Sequence, residues 1–99
     1  MNLSTTTFTD CAGNPVADGY LTLSLDEDAV APNGTQLSGD FMITINLDDT
    51  GTPIDVPTLW PSFELQSRVT QPNSTGVLYK LRVYTSKGLL VYNQSVNIQ

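Results

Sequence analysis

Apolar residues return at every second position in three stretches of this chain, and that periodicity limits the fold more than any other feature. Leu21, Leu23 and Leu25 alternate with Thr22 and Ser24; Phe41, Ile43, Ile45 and Leu47 alternate with Met42, Thr44 and Asn46; Tyr79, Leu81 and Val83 alternate with Lys80 and Arg82. Successive side chains of an extended chain point to opposite faces, so a period of two buries one set and leaves the other outside. A helix needs a 3.6-residue repeat, and no segment sustains one; residues 26–31 are expected to form at most one helical turn. Residues 89–98 also read as strand, with an alternation that slips near Asn93 and Gln94 and predicts a bulge there.

Turn residues separate these runs. Asn14-Pro15, Pro32-Asn33-Gly34, Asp48-Asp49-Thr50-Gly51, Gln71-Pro72-Asn73 and Ser86-Lys87-Gly88 supply positive φ or a preset φ. Asp49-Thr50-Gly51 and Ser86-Lys87-Gly88 read as hairpins. Strands are expected near 3–9, 17–25, 40–48, 53–60, 63–68, 77–85 and 88–98. The expected fold is all-β: an antiparallel two-sheet β-sandwich of about seven strands, immunoglobulin-like or transthyretin-like. Residues 1–99 are read as one domain with a Thr-rich N-terminal arm over residues 1–8.

Charge narrows the function. The net charge is −6, and only Arg68, Lys80, Arg82 and Lys87 are positive. No basic footprint is available to neutralise phosphates, which argues against nucleic acid and against an anionic membrane surface. No stretch approaches the length of a membrane span, and residues 1–8 have neither a basic start nor an apolar run, so no signal peptide is expected. Four Asn-X-Ser/Thr sequons begin at Asn2, Asn33, Asn73 and Asn93, and are read as a product of the Asn- and Thr-rich composition.

Catalytic chemistry finds few materials. The chain has no histidine and one cysteine, Cys11. A Ser-His-Asp or Cys-His arrangement, a histidine-ligated metal and an internal disulfide are all ruled out by composition. There is no Walker A pattern and no Gly-X-Gly-X-X-Gly. No cofactor and no enzymatic activity are expected. Carboxylates crowd two loops, Asp26-Glu27-Asp28 and Asp48-Asp49 with Asp55 nearby. Paired carboxylates serve glycosidases and clustered ones serve calcium, but the chain is short for a glycosidase cleft and shows no ordered ligand spacing. Solvated turn carboxylates are the plainer reading.

Surface chemistry is richer. By parity Tyr20 and Tyr84 point outward, Tyr79 and Phe41 inward, and Trp60 closes a strand in Leu59-Trp60-Pro61. Outward aromatics suit sugar stacking or a protein contact. Lys80, Arg82 and Tyr84 share the outward parity of one strand and form a positive stripe on a negative body. Such a stripe suits docking to an acidic neighbour, including another copy of the chain; the plainer alternative is an exposed strand kept from aggregating by its charges. Phe8, in the Thr-rich arm, is a further candidate contact, because edge segments can add a strand to a neighbour.

The order of these features resembles a family. A turn Gly13-Asn14-Pro15-Val16 leads into the strand from Tyr20; Leu47-Asp48-Asp49-Thr50-Gly51 follows, then Leu59-Trp60, then Gly76-Val77-Leu78-Tyr79 and its strand. This pattern resembles the β-sandwich modules of bacteriophage tail, fibre and head-decoration proteins, and its opening is similar to transthyretin-like and carboxypeptidase regulatory sandwiches. The resemblance implies a structural protein of a virion, made in the host cytoplasm, with capsid or tail proteins as partners; a decoration or cement role is favoured over a fibre at this length. These modules share no active site, so the resemblance carries no functional residue over. The alternatives are a carbohydrate- or cell-surface-binding module, with a possible glycan ligand, and a piece of a larger adhesin. The candidate interface residues are Lys80, Arg82, Tyr84, Trp60 and Phe8.

Overall fold

Four turns of one design shape the molecule. The computed structural model describes residues 1–40, 42–67 and 76–99. Within these, the N–H groups of Gly13, Gly34, Gly51 and Gly88 donate to the carbonyls of Asp10, Ala31, Asp48 and Thr85, three residues earlier in each case. The N–H groups of Asp10, Ala31, Asp48 and Thr85 in turn donate to the carbonyls of Asn14, Thr35, Thr52 and Leu89. All four glycines lie at φ between 81° and 87°. These are three-residue hairpin connections that close on a left-handed residue, a conformation open to glycine at little cost. A side-chain oxygen completes each one. Asp10 Oδ1 accepts from the N–H of Ala12 and Asn14, Asp48 Oδ1 from Thr50 and Thr52, Thr85 Oγ1 from Lys87 and Leu89, and Asn33 Oδ1 from Thr35.

The strands between the turns form two antiparallel sheets. They are β1 (Tyr20–Leu25), β2 (Ala29–Val30), β3 (Gln36–Leu37), β4 (Ile43–Asn46), β5 (Gln66–Ser67), β6 (Tyr79–Tyr84) and β7 (Leu90–Val96). The larger sheet runs β4-β1-β6-β7 and the smaller β3-β2-β5. Single 3-10 turns occupy Leu3–Thr5 and Ser62–Glu64. Alternation decides the core: β1 buries Leu21, Leu23 and Leu25, and β6 buries Tyr79, Leu81 and Val83. Ile45, Val96, Ala29, Leu65 and Val77 join the same cluster, so the inner faces of both sheets share one interior. Among the described residues no buried side-chain polar atom lacks a hydrogen bond.

The fold class agrees with the periodicity, but several elements differ from expectation. Residues 53–60 form no strand beyond a bridge between Leu47 and Pro53. Pro53, Pro57 and Pro61 remove ladder donors, and Asp55 sits at φ 54°. The strand expected at 3–9 is a 3-10 turn followed by a bridge from Thr9 to Pro15. Asn2 Oδ1 accepts from the N–H of Ser4 and the carbonyl of Asn2 from the Thr6 hydroxyl, and such local bonds compete with a ladder. The helical turn expected at 26–31 is replaced by β2, because Ala29 and Val30 pair with β3 and β5. The bulge lies two residues before its expected place: Val83 pairs with Tyr92 and Tyr84 with Leu90, which leaves Val91 as the extra residue. The expected turn at 71–73 and the inward placing of Phe41 fall outside the described residues.

The expected arm is part of the folded body. Leu3 and Phe8 are buried, the N–H of Phe8 donates to the carbonyl of Gly51, and the N–H of Gln99 donates to the carbonyl of Met1. Two large apolar side chains hold this segment down, and a Thr-rich composition concealed them.

Candidate docking face

The stripe is real, and it lies on a central strand. β6 is flanked by β1 and β7, so Lys80, Arg82 and Tyr84 stand in the middle of the larger sheet's outer face. β6 is not an edge strand: the edge beside it is β7, which bears no charge. Register arranges the face in rows. Asn46, Tyr20, Tyr84 and Leu90 form one row across β4, β1, β6 and β7. Thr44, Thr22, Arg82 and Asn93 form the next, and Ser24, Lys80 and Ser95 the third.

Each row has its own chemistry. Tyr20 and Tyr84 stack with centroids 5.0 Å apart and planes 17° from parallel. Directly paired aromatics on adjacent strands reinforce the sheet as well as the surface. Just before β1, Gly19 lets the backbone approach β6 closely, since a Cβ there would meet the Tyr84 carbonyl and Val16 Cγ1. Leu90, 49% exposed, extends the row, and Leu89 beside it is 65% exposed. The middle row surrounds Arg82 with hydroxyl and amide side chains. In the third, Ser95 donates to Asp26 at 3.0 Å, which places one carboxylate at the far end of the face.

Two expected contact residues lie elsewhere. Phe8 is only 6% exposed and meets Tyr92 edge-to-face, centroids 5.9 Å apart and planes at 62°. It is a core residue rather than an exposed contact, because burial of its ring outweighs the polarity of the threonines around it. Trp60 is part-buried and lines a groove of about 420 Å³ with Leu23, Leu25, Leu37, Ile43 and Tyr79. Its carbonyl accepts the Tyr79 hydroxyl at 2.8 Å, and burial raises the Tyr79 phenol above its ordinary value of 10.0. The structure thus brings Lys80, Arg82 and Tyr84 together and separates them from Trp60 and Phe8. Leu90 was missed as a member of the face. Its signal, a Gly-Leu-Leu after the hairpin, is readable only once the bulge position is known.

Two further carboxylates brace loops. Asp48 is held below its ordinary value of 3.8, first by the Thr50 hydroxyl at 2.7 Å and then by the N–H groups of Thr52 and Thr50. Asp28 Oδ1 accepts from the N–H of Gly39 at 2.7 Å. Among the described residues no three His, Cys, Asp or Glu side chains converge as a metal-holding set. Cys11 is exposed at the tip of its hairpin. No helix among the described residues is long and apolar enough to cross a membrane. Compared with family models, curated proteins and solved structures, the chain matches none.

Proposed function

We propose that this chain is a non-enzymatic structural protein of a bacteriophage virion, a decoration or cement protein that docks on the particle surface through the outer face of β4-β1-β6-β7. One observation carries the reading: Lys80, Arg82 and the Tyr20–Tyr84 stack share one face, on a chain whose ten acidic residues all precede residue 65. Aromatic and Arg side chains set among small polar neighbours have the composition of a protein contact surface. Positive side chains on an acidic body orient the molecule toward an acidic lattice. The order of turns and aromatics that resembles phage sandwich modules supports the virion role.

Purified phage particles from cells expressing the chain test it by quantitative mass spectrometry. The chain is expected at a fixed ratio to the capsid protein, and Arg82→Glu combined with Tyr84→Ala is expected to lower that ratio about tenfold or more without loss of folding. A chain found only in the free protein fraction would overturn the proposal.

The outward tyrosine pair favours one second reading, a glycan-binding module. Sugar rings stack on open aromatic faces, and Tyr20 and Tyr84 each spend one face on the other. A glycan array that detects binding abolished by Tyr84→Ala would choose this reading over the first.

A further inference from the structure

We propose that β7 of one copy pairs with β7 of a second copy, antiparallel about a two-fold axis, so that two four-stranded sheets join into one of eight strands. β7 is the last strand of its sheet and, at seven residues, the longest in the described structure. Among the described residues, no backbone group of Leu90–Val96 bonds to any segment other than β6. An edge strand turns every second N–H and C=O outward, and proteins that keep such an edge single protect it with charge, proline or a cover. Residues 89–99 contain no charged side chain, no proline and no glycine. The one irregularity is the bulge at Val91, which limits regular pairing to Tyr92–Val96. Beyond Val96 the backbone is already occupied: the Met1 amine donates to the Asn97 carbonyl, and Ile98 exchanges bonds with Ser62. The open run therefore has Gln94 at its midpoint, and Gln94 is exposed.

Charge selects a second copy as the occupant of this edge. Two molecules of net charge −6 repel each other wherever carboxylates meet. From residue 65 onward the chain has no Asp or Glu, and Lys80, Arg82 and Lys87 are carried by β6 and the β6–β7 hairpin. Apart from Asp26, which Ser95 holds, this margin is built from a stretch without carboxylates, so one copy can approach another here against little repulsion. A two-fold axis perpendicular to the sheet closes the assembly at two copies and lays both outer faces side by side. The Tyr20–Tyr84 stacks and the Lys80–Arg82 columns of both copies then share one continuous surface. The inference stands on the edge and the charge layout and does not rest on the virion reading.

Sedimentation of the purified chain from low-micromolar to millimolar concentration tests it, together with amide exchange. A monomer–dimer equilibrium is expected, with amides in 92–96 slowing as concentration rises. Gln94→Lys places like charges opposite one another at the axis and is expected to weaken the dimer about tenfold. Asn46→Lys, on the opposite edge of the sheet, is expected to leave it unchanged, and circular dichroism melts establish that both variants fold. A monomer at every concentration, assembly beyond two copies, or a dimer that survives Gln94→Lys or is lost with Asn46→Lys would each overturn the proposal.

Discussion

At the scale of single residues, two glycines of the same turn type have different costs of replacement. Gly34 and Gly51 both lie at positive φ, but a Cβ on Gly34 would meet open space, whereas one on Gly51 would meet the Phe8 carbonyl and, at 3.1 Å, the Val16 amide. Gly34→Ala should cost about 1–2 kcal/mol, the ordinary penalty of a left-handed L-residue. Gly51→Ala should cost clearly more, since Phe8 must move off its bond with Gly51. Urea unfolding of the two variants measures the gap, and equal losses would refute the close approach. Asp48 makes the second residue-scale prediction. Its carboxyl titrates lower in the folded chain than in the unfolded one, so the stability it adds is fully present above its unfolded value near 3.8. That contribution fades as pH falls through the lower, folded value. Asp48→Asn keeps an oxygen acceptor and loses the charge. Wild type should therefore melt higher than the variant at neutral pH, with the gap closing below about pH 4. A gap that persists unchanged at pH 2 would contradict this.

At the scale of elements, the N-terminal segment behaves as structure. A variant lacking residues 1–8 loses the buried side chains of Leu3 and Phe8, each a cost of about 2–5 kcal/mol if treated as a truncation to a small residue. Against a typical domain stability of about 5–15 kcal/mol, that loss is expected to abolish cooperative unfolding. A sharp thermal transition in the truncated chain would show instead that the segment is dispensable. The long strands were legible because β1, β4 and β6 alternate over four to six residues. The turns were legible because their last position lies at positive φ, which glycine adopts at least cost. β2, β3 and β5 are two residues each, too short for any periodicity, and exist only through their partners across the sheet. The stripe Lys80, Arg82, Tyr84 followed from parity alone. Its place in the middle of the sheet did not, because strand order is set by pairings between residues some sixty positions apart. Trp60 and Phe8 were misplaced for a related reason: local polarity says nothing about which distant apolar surface will cover a ring.

At the scale of the whole molecule, charge and sheet order coincide. Acidic groups all precede residue 65, while three of the four cations, Lys80, Arg82 and Lys87, belong to β6 and the β6–β7 hairpin, so the larger sheet carries its positive charge on one side of its centre. The consequence is a molecule with a marked front. Its outer sheet face is rich in aromatic, hydroxyl and basic groups, and its acidic loops keep the remaining surface solvated. This layout follows from where the chain places each side chain rather than from any catalytic group.

The β4-β1-β6-β7 order also governs how the chain reaches this state. β6 and β7 are neighbours in sequence and can zip from their hairpin within microseconds, as can other short hairpins. β1, however, ends at Leu25 and must find Tyr79, so the central ladder waits on the closure of a loop that holds the whole smaller sheet. A nucleus that must tie such remote segments together is entropically expensive, and refolding is expected on the scale of milliseconds to seconds, measurable by stopped-flow fluorescence of Trp60. During that interval the early β6–β7 hairpin stands with both of its flanks open, which makes dilute conditions the safest route to the native chain.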